Sequence, residues 1–191
     1  MWHKPALLNG LANVLFAVTA LLALYLAWTL TTRLPLFELR EVAVGGELTR
    51  VTRDQIEGVV RRELVASNLA TLDLGAVRDA FEKLEWVRRV QLRRRWPARL
   101  DVAFEEHVPL ARWASTALVN THGEVFKAAY DGELPVFIGP DGAAREIAIQ
   151  FRYFHRSLQA IGQIPVQVQV SARRAWRLKL QSGLMLELGR E

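Results

Sequence analysis

The feature that most constrains this chain is an uncharged, apolar stretch near its N-terminus. No formally charged residue occurs from Pro5 to Thr32, and only three residues of Leu11–Leu30 are clearly polar. Twenty helical residues span about 30 Å, the thickness of the hydrocarbon core of a bilayer. A core helix would not be apolar on all sides, and a cleaved signal peptide would have a shorter apolar run followed by a small-x-small site. The stretch therefore predicts one retained transmembrane helix over residues 11–32.

This helix would separate a short stub, residues 1–10, from a folded body, residues 33–191, on the other side of the membrane. The nearby charges do not favour that orientation, because Arg33 and Arg40 follow the helix whereas only Lys4 and the terminal amine precede it. Long domains, however, are translocated largely regardless of such charges. We therefore expect the body to cross the membrane and the stub to stay behind.

Alternating apolar residues predict three strands in the first part of the body. Residues 37–46 alternate with one slip near Arg40–Glu41, which indicates a bulge, because a one-residue shift reverses the two faces of a strand. Residues 87–95 and 100–104 alternate on either side of a turn at Trp96–Arg99. That pattern is typical of a β-hairpin.

Two amphipathic helices are predicted between the first strand and the hairpin. Thr52 and Gln55 match a capping box, and the apolar spacing after them predicts a helix to about Ala66. Asp73 can cap a second helix, whose apolar residues recur with helical spacing as far as Leu84. Residues 33–106 are therefore expected to form an α+β domain of order strand, helix, helix, strand, strand.

Residues 107–191 are predicted to form a second, mostly β domain with one long helix. The helix is indicated by Ile147, Phe151, Phe154, Leu158 and Ile161, which follow one another with helical spacing. The strand candidates are short apolar or alternating runs at residues 110–113, 117–119, 125–127, 135–138, 166–170, 176–180 and 184–188.

The element order and several spaced motifs resemble a known family. The β-α-α-β-β order resembles a POTRA domain, and motifs along nearly the whole chain resemble the FtsQ/DivIB family of bacterial cell division proteins. One departure is Ser67–Ala70, which stands where the family usually has Gly-Asn-Phe-Phe. The motifs that carry the resemblance are residues 37–46, 84–100, 105–113, 118–126, 176–180 and 186–190.

The resemblance implies a function in protein assembly. Members of the family are single-pass (type II) inner-membrane proteins of the divisome, with a cytoplasmic N-terminus and periplasmic domains at the division septum. The implied role is a non-enzymatic scaffold that links early cytoplasmic and late periplasmic division proteins. The implied partners are the coiled-coil proteins FtsB and FtsL, bound through the β domain, while the POTRA domain aids recruitment.

The family continues beyond the position where this chain stops. The resemblance therefore implies a chain truncated at Glu191, with an incomplete β domain. Its last strand, around Leu184–Leu188, would form an uncovered sheet edge. On this interpretation, the first domain folds normally, the second is less stable, and FtsB binding is weakened.

The sequence offers no pattern of residues typical of catalysis or of a bound cofactor. Cysteine is absent, the four histidines lack metal-ligand spacing, and no serine lies in a hydrolase motif. Glu105 and Glu106 are adjacent on a predicted strand and so point to opposite faces. We expect neither enzyme activity nor a cofactor, metal or small-molecule substrate. The alternatives are a membrane-anchored envelope enzyme, which needs converging catalytic residues, and a POTRA-bearing translocation component, which needs tandem repeats and barrel strands.

Six arginines cluster in and beside the predicted hairpin. One interpretation is a solvated face with some arginines paired to acids such as Asp101 and Glu105. Another is a docking surface for an acidic segment or anionic lipid headgroups. Nucleic acid is disfavoured because few aromatic residues besides Trp96 accompany the cluster; Trp96 itself is expected either to pack at the turn or to be an exposed contact. The six are Arg88, Arg89, Arg93, Arg94, Arg95 and Arg99.

A second basic candidate lies just before one of the late predicted strands. Arg173 and Arg174 precede the strand that begins at Trp176. Arginine forks pair bidentately with carboxylates, so these residues are candidates for holding acidic groups of a partner helix. The alternative is that both are solvated loop residues.

Overall fold

The computed structural model describes residues 5–32, 38–46, 48–64 and 67–189, and its first element is the expected apolar helix. Helix α1 spans Pro5–Thr32. Its segment Asn9–Leu30 has a mean hydropathy of 2.1 and none of it is buried, so it is long and apolar enough to cross a membrane. This helix fits a single-pass membrane anchor. The hydroxyl groups of Thr19 and Thr29 donate to backbone carbonyls within the helix, so neither is left without a partner.

By its contacts, the chain divides into two compact units. The first comprises Met1–Glu47, Thr52–Phe81 and Val90–Phe104, and the second comprises Leu48–Val51, Glu82–Arg89 and Glu105–Glu191. Three short pieces that the sequence assigns to the first domain thus belong to the second unit, namely Leu48–Val51, Glu82–Arg89 and residues 105–106. The domain limits 33–106 and 107–191 stay a prediction.

Residues 41–106 contain two helices and a three-stranded sheet of order β1-β3-β2. Strand β1 runs parallel to β3, with Glu41 opposite Arg99 and Gly45 opposite Ala103. The order strand, helix, helix, strand, strand is confirmed. The elements are β1 (Glu41–Gly45), α2 (Arg53–Glu63), α3 (Leu74–Glu82), β2 (Val87–Arg95) and β3 (Arg99–Glu106).

The first strand begins later than expected, and the expected bulge lies at its start. The N–H groups of Arg40 and Glu41 both donate to the Ala98 carbonyl, at 2.9 and 3.2 Å. Two successive donors on one acceptor are the hydrogen bonding of a bulge. Glu38 makes only an isolated bridge, to Asn68, and Phe37 lies outside the described residues.

Both predicted helix caps are present. Thr52 and Gln55 form a reciprocal capping box, and the Asp73 carboxylate accepts hydrogen bonds from the N–H groups of Gly75 and Ala76. Helix α2 ends at Glu63, and the end predicted near Ala66 lies outside the described residues.

The core of the first unit joins the apolar faces of its helices to one face of β3. Phe81 is fully buried and meets Phe104 edge to face, with ring centroids 5.2 Å apart. Leu100 and Val102 are buried beside them. Leu69, in the loop between the two helices, is also fully buried.

The second unit is built on one seven-stranded sheet of order β10-β9-β8-β7-β4-β5-β6, with a single long helix, α4 (Ala144–Gln159). The pairs β4–β7 and β7–β8 are parallel and the others are antiparallel. The mostly β character and the helix are confirmed. The strands are β4 (Pro109–Trp113), β5 (Ala117–Asn120), β6 (Val125–Phe126), β7 (Val136–Ile138), β8 (Pro165–Val170), β9 (Trp176–Leu180) and β10 (Met185–Gly189).

The core of the second unit lies between α4 and the sheet. Ile147 and Phe151 of the helix are buried with Phe137, and the Phe137 and Phe151 ring centroids are 5.2 Å apart. Gly139 permits this packing, because a Cβ there would stand 2.9 Å from side-chain atoms of both Ile147 and Val170. One face of α4 is therefore committed to the sheet and the opposite face is left exposed.

Candidate partner-binding surfaces

The arginines of the hairpin do not form one continuous basic surface. Arg95 and Arg99 both donate to the Asp101 carboxylate, at 2.9 and 2.8 Å, and Arg99 also pairs with Glu41. The hydrogen bonds from Arg95 and then Arg99 lower the pKa of Asp101. The predicted pairing with Asp101 is confirmed, so these two charges are largely balanced within the sheet.

Arg94 points to the other face of β2 from its neighbours. It follows Val90 and Leu92 at alternate positions, and its guanidinium donates to the Leu72 carbonyl. Its Nε atom is buried without a hydrogen-bond partner among the described residues. Arg94 therefore supports the first unit internally and is not presented on the outer face of the hairpin.

Arg89 and Arg93 are the two members of the cluster that remain open to a partner. Both side chains are exposed and neither forms an ion pair with any described residue. Arg93 borders a shallow groove on the outer face of the first unit's sheet, whose floor includes Ala43 and Ala103. The docking interpretation of the hairpin therefore rests on these two residues.

Arg88 lies at the centre of a polar network in the second unit. Its side chain is only 12% exposed, and its Nε and Nη2 atoms donate to the two carboxylate oxygens of Glu124, at 2.8 and 2.9 Å. Its Nη1 atom donates to Glu105 at 2.6 Å, as predicted. Hydrogen bonding by Arg88, chiefly, lowers the pKa of Glu124 to about 2, and the bond to Glu124 in turn raises the pKa of Arg88.

Asn120 extends this network into the interior. It is fully buried, and its Nδ2 atom donates to Glu124 at 2.7 Å and contacts His107 Nδ1 at 2.9 Å. Its Oδ1 atom accepts the N–H groups of His122 and Glu124. Since an amide NH₂ can only donate, His107 is the acceptor at Nδ1 and is neutral. Burial is the main reason that the pKa of His107 is lowered.

The sequence did not reveal this network as a unit. Asn120 is the last residue of β5, and its side-chain oxygen accepts the N–H of His122 in the turn that follows. The missed signal is the short spacing between Asn120 and Glu124 at the end of an apolar strand. An amide that follows buried alternating residues is itself placed where it needs polar partners.

Two further sets of contacts stabilise the second unit, one made by Glu106 and one made by Arg50 with two aromatic rings. The Glu106 carboxylate accepts hydrogen bonds from three consecutive N–H groups, those of residues 49–51, at 2.8–3.2 Å. The guanidinium of Arg50 lies 4.4 Å from the Trp86 ring centroid and 4.8 Å from that of Tyr130. Glu105 and Glu106 thus have separate roles on opposite faces, as predicted.

Arg173 and Arg174 are exposed in the turn before β9, whereas Trp176 is not at the surface. Arg174 has a φ of 62° and forms an ion pair with Glu146 of α4. Arg173 is exposed and has no ion pair with a described residue. Trp176 is 5% exposed and contacts Phe154 edge to face. Trp176 can therefore position this turn, but its side chain offers a partner almost no surface.

The outer edge of β10 is open among the described residues. In the part of the chain that the structure describes, β10 pairs with β9 and has no strand on its other side. Leu184, Met185 and Leu188 are 50–56% exposed along it. Gly189 lies opposite Trp176, so this end of β10 adjoins the start of β9. The open edge and the arginine pair therefore belong to one corner of the second unit.

The described residues hold no group of three histidine, aspartate or glutamate side chains placed to bind a metal ion. His107 stacks on Phe126 with ring centroids 4.1 Å apart, and His155 contacts Phe151. Both rings are thus engaged in packing.

Comparisons with known proteins match both parts of the body. The family model described as "POTRA domain, FtsQ-type" matches residues 37–107, and the model "Cell division protein FtsQ/DivIB, C-terminal" matches residues 111–191. A protein named "Cell division protein FtsQ" from Nitrosospira multiformis is 47% identical, over all of this chain and 83% of the relative. Relatives of the same name from Burkholderia pseudomallei and Neisseria gonorrhoeae are 37% and 30% identical, over all of this chain and 77% and 79% of theirs.

Proposed function

Because the chain belongs to the FtsQ/DivIB family of cell division proteins, we propose that it is a non-enzymatic scaffold of the division machinery. In this role it binds FtsB and FtsL and links early cytoplasmic to late periplasmic division proteins at the septum. The observation that carries the proposal is the corner of the second unit where the open edge of β10 meets Arg173 and Arg174.

The backbone of β10 is suited to accept an additional strand. Leu180 N–H donates to the Leu184 carbonyl, so residues 184 and 186 direct their backbone groups towards β9. The N–H and C=O groups of Met185 and Glu187 consequently point away from the sheet. An extended segment of a partner can pair with these groups, while the neighbouring exposed leucines supply apolar contact.

The arginine pair supplies a complementary charge beside that edge. Arg173 is free to bind a carboxylate, and Arg174 can exchange its contact with Glu146 for one with a partner. A bidentate arginine–carboxylate contact adds direction as well as attraction. A partner with an extended segment and a neighbouring acidic helix fits this corner.

The POTRA-type part supports recruitment in this proposal. Strand β2 is an edge of its sheet, and the exposed Arg89 and Arg93 lie along it. Helix α1 anchors the chain in the inner membrane, with the N-terminus in the cytoplasm and the folded units in the periplasm. Alkaline phosphatase fused after Glu191 should be active, and a fluorescent fusion should collect at the septum. An inactive phosphatase fusion would contradict the topology.

The binding proposal is tested by titrating a periplasmic FtsB segment against the full chain in nanodiscs. Met185→Pro removes an outward N–H without removing a hydrogen bond to β9, and should weaken binding about tenfold, the loss of about 1.4 kcal/mol. Met185→Ala keeps the N–H and is the matched control. Equal loss in both variants, or no loss in either, would exclude strand addition at β10.

A further inference from the structure

From the outward face of α4 we infer a second docking surface, one that receives an acidic amphipathic helix of another protein. This inference does not rest on the open edge of β10 or on the proposed scaffold function. It rests on residues that recur along one side of the helix, namely Arg145, Ile149, Arg152, Tyr153 and Arg156.

These five side chains form a single stripe opposite the buried face. Successive helical residues are about 100° apart, so the five positions fall within about 100° of arc. The buried Ile147 and Phe151 lie on the other side of the helix. Ile149 and Tyr153 are 41% and 63% exposed and stand four residues apart, so they are neighbours on this face.

The charge of the stripe has one sign. Its three arginines are exposed, and no described acidic side chain forms an ion pair with any of them. Within the described part of the chain, Arg152 donates to the Thr121 carbonyl, at 3.1 Å, and to no carboxylate. The one acidic residue of α4, Glu146, is engaged by Arg174. The stripe is therefore an uncompensated row of guanidinium groups, and charge complementarity requires an anionic partner.

The shape of the stripe distinguishes among anionic partners. Ile149, Arg152, Tyr153 and Arg156 line a shallow depression between their side chains, so two apolar groups and two arginines border the same space. A membrane-binding helix lays its broad apolar face on the bilayer, whereas the broad apolar face of α4 is packed in the core of the second unit. A depression bordered by arginines fits an apolar side chain that projects from a partner and is flanked by carboxylates.

The spacing of the charges fits a helix. Arg145 and Arg152 are about 10.5 Å apart along the axis, and Arg152 and Arg156 about 6 Å, at 1.5 Å per residue. Carboxylates at i, i+7 and i+11 of a helix lying alongside α4 have the same spacing. Arginine and tyrosine are also enriched at protein interfaces. A second copy of this chain is disfavoured as the occupant, because the chain carries a net charge of +5.

The test uses the full chain in phosphatidylcholine nanodiscs and a synthetic helical peptide. The peptide carries Glu at i, i+7 and i+11 and Leu at i+4 and i+8, and a matched peptide carries Gln in place of Glu. We expect the Glu peptide to bind at least tenfold more tightly than the Gln peptide. The double variant R152Q/R156Q should lose about tenfold in affinity, and Tyr153→Ala severalfold.

The matched control removes the same number of charges elsewhere. R53Q/R78Q loses two exposed arginines that have no ion pair with a described residue and no proposed binding role, and it should bind the Glu peptide within twofold of the parent. Equal losses in the two double variants would reduce the effect to general electrostatics and overturn the inference. Protection of α4 from hydrogen exchange by phosphatidylglycerol nanodiscs alone, or self-association that R152Q/R156Q abolishes, would also overturn it. Met185→Pro should leave the affinity for this peptide unchanged. A negative result at one proposed surface can therefore be distinguished from a negative result at the other.

Discussion

Arginines from one short stretch of sequence have different environments in the two units of this protein. In the first unit, Arg95 and Arg99 share Asp101 on an exposed sheet face. In the second unit, Arg88 is mostly buried and forms ion pairs with Glu124 and Glu105. Glu124 also accepts a hydrogen bond from the fully buried Asn120. Exposed pairs contribute little to stability because water screens them, whereas enclosed charges must be satisfied or they destabilise the fold. Residue type alone therefore does not predict which arginine the fold requires.

The largest expected difference in stability between the two units concerns one tryptophan in each. Trp176 is buried in the second unit, and Trp96 of the first unit is 60% exposed. Trp176→Ala should destabilise the protein by about 3–5 kcal/mol, the usual cost of deleting a large buried side chain. Trp96→Ala should cost less than about 1 kcal/mol, as is typical of exposed positions. Chemical denaturation of each variant measures both, and similar losses would remove the distinction.

The polar network provides the next test. Asn120→Ala leaves the partly buried N–H groups of His122 and Glu124 without their acceptor and removes a fully buried amide, so it should cost about 1–3 kcal/mol. Arg88→Gln should lower the melting temperature clearly, because it breaks three hydrogen bonds to two carboxylates. Arg99→Gln, which removes exposed pairs, is the matched control and should change the melting temperature far less. A larger effect of Arg99→Gln would contradict the contrast.

Acid should act on the second unit through the same network. The pKa of Glu124 is about 2 in the folded chain against an ordinary value of 4.5. The stability that this lowering contributes is present above pH 4.5 and is lost as the pH falls towards 2. The lowered pKa of His107 reduces stability at a higher pH. Below its ordinary pKa of 6.5, His107 is protonated in the unfolded chain before it is protonated in the folded chain, which favours unfolding.

Melting temperatures measured between pH 7 and pH 3 check this dependence. His107→Phe should remove the part of the decline that begins near pH 6.5, and Glu124→Gln should flatten the part below pH 4.5. Asp101→Asn in the first unit is the control for a lowered carboxylate pKa at an exposed site. If the melting temperature of Glu124→Gln fell below pH 4.5 as steeply as that of the parent, Glu124 would not be the source of that fall.

Much of the fold could be predicted because its signals are local. The capping box at Thr52, the Asp73 cap, the hairpin and the period of α4 each depend on neighbouring residues, and each is present. The predicted period of α4 is too long by one member, because the helix ends at Gln159 and Ile161 is exposed beyond it. The order of the seven strands could not be predicted, since the parallel pairing of β7 with both β4 and β8 joins residues distant in sequence.

The candidate surfaces were less predictable for the same reason. Pairing of Arg88 with Glu105 follows from the hairpin, but its contact with Glu124 depends on a turn 36 residues away. The buried position of Trp176 depends on where α4 places Phe154. The exposed stripe on α4 could have been found from the sequence. The periodic apolar residues mark the buried face of the helix, so the residues between them mark the opposite face.

The smallest expected effect separates the two arginines of the turn before β9. Arg173→Gln removes a charge that has no ion pair with a described residue, so stability should change by less than about 0.5 kcal/mol. Arg174→Gln removes the exposed pair with Glu146 and should cost at most about 1 kcal/mol. Each should weaken binding of the FtsB segment severalfold, because a carboxylate contact is lost beside the β10 edge. Glu146→Gln is the discriminating control, since it frees Arg174 without removing it. Binding should then be equal to or tighter than that of the parent, and weaker binding would mean that the ion pair with Glu146 holds the turn in place and that Arg174 is not itself a contact.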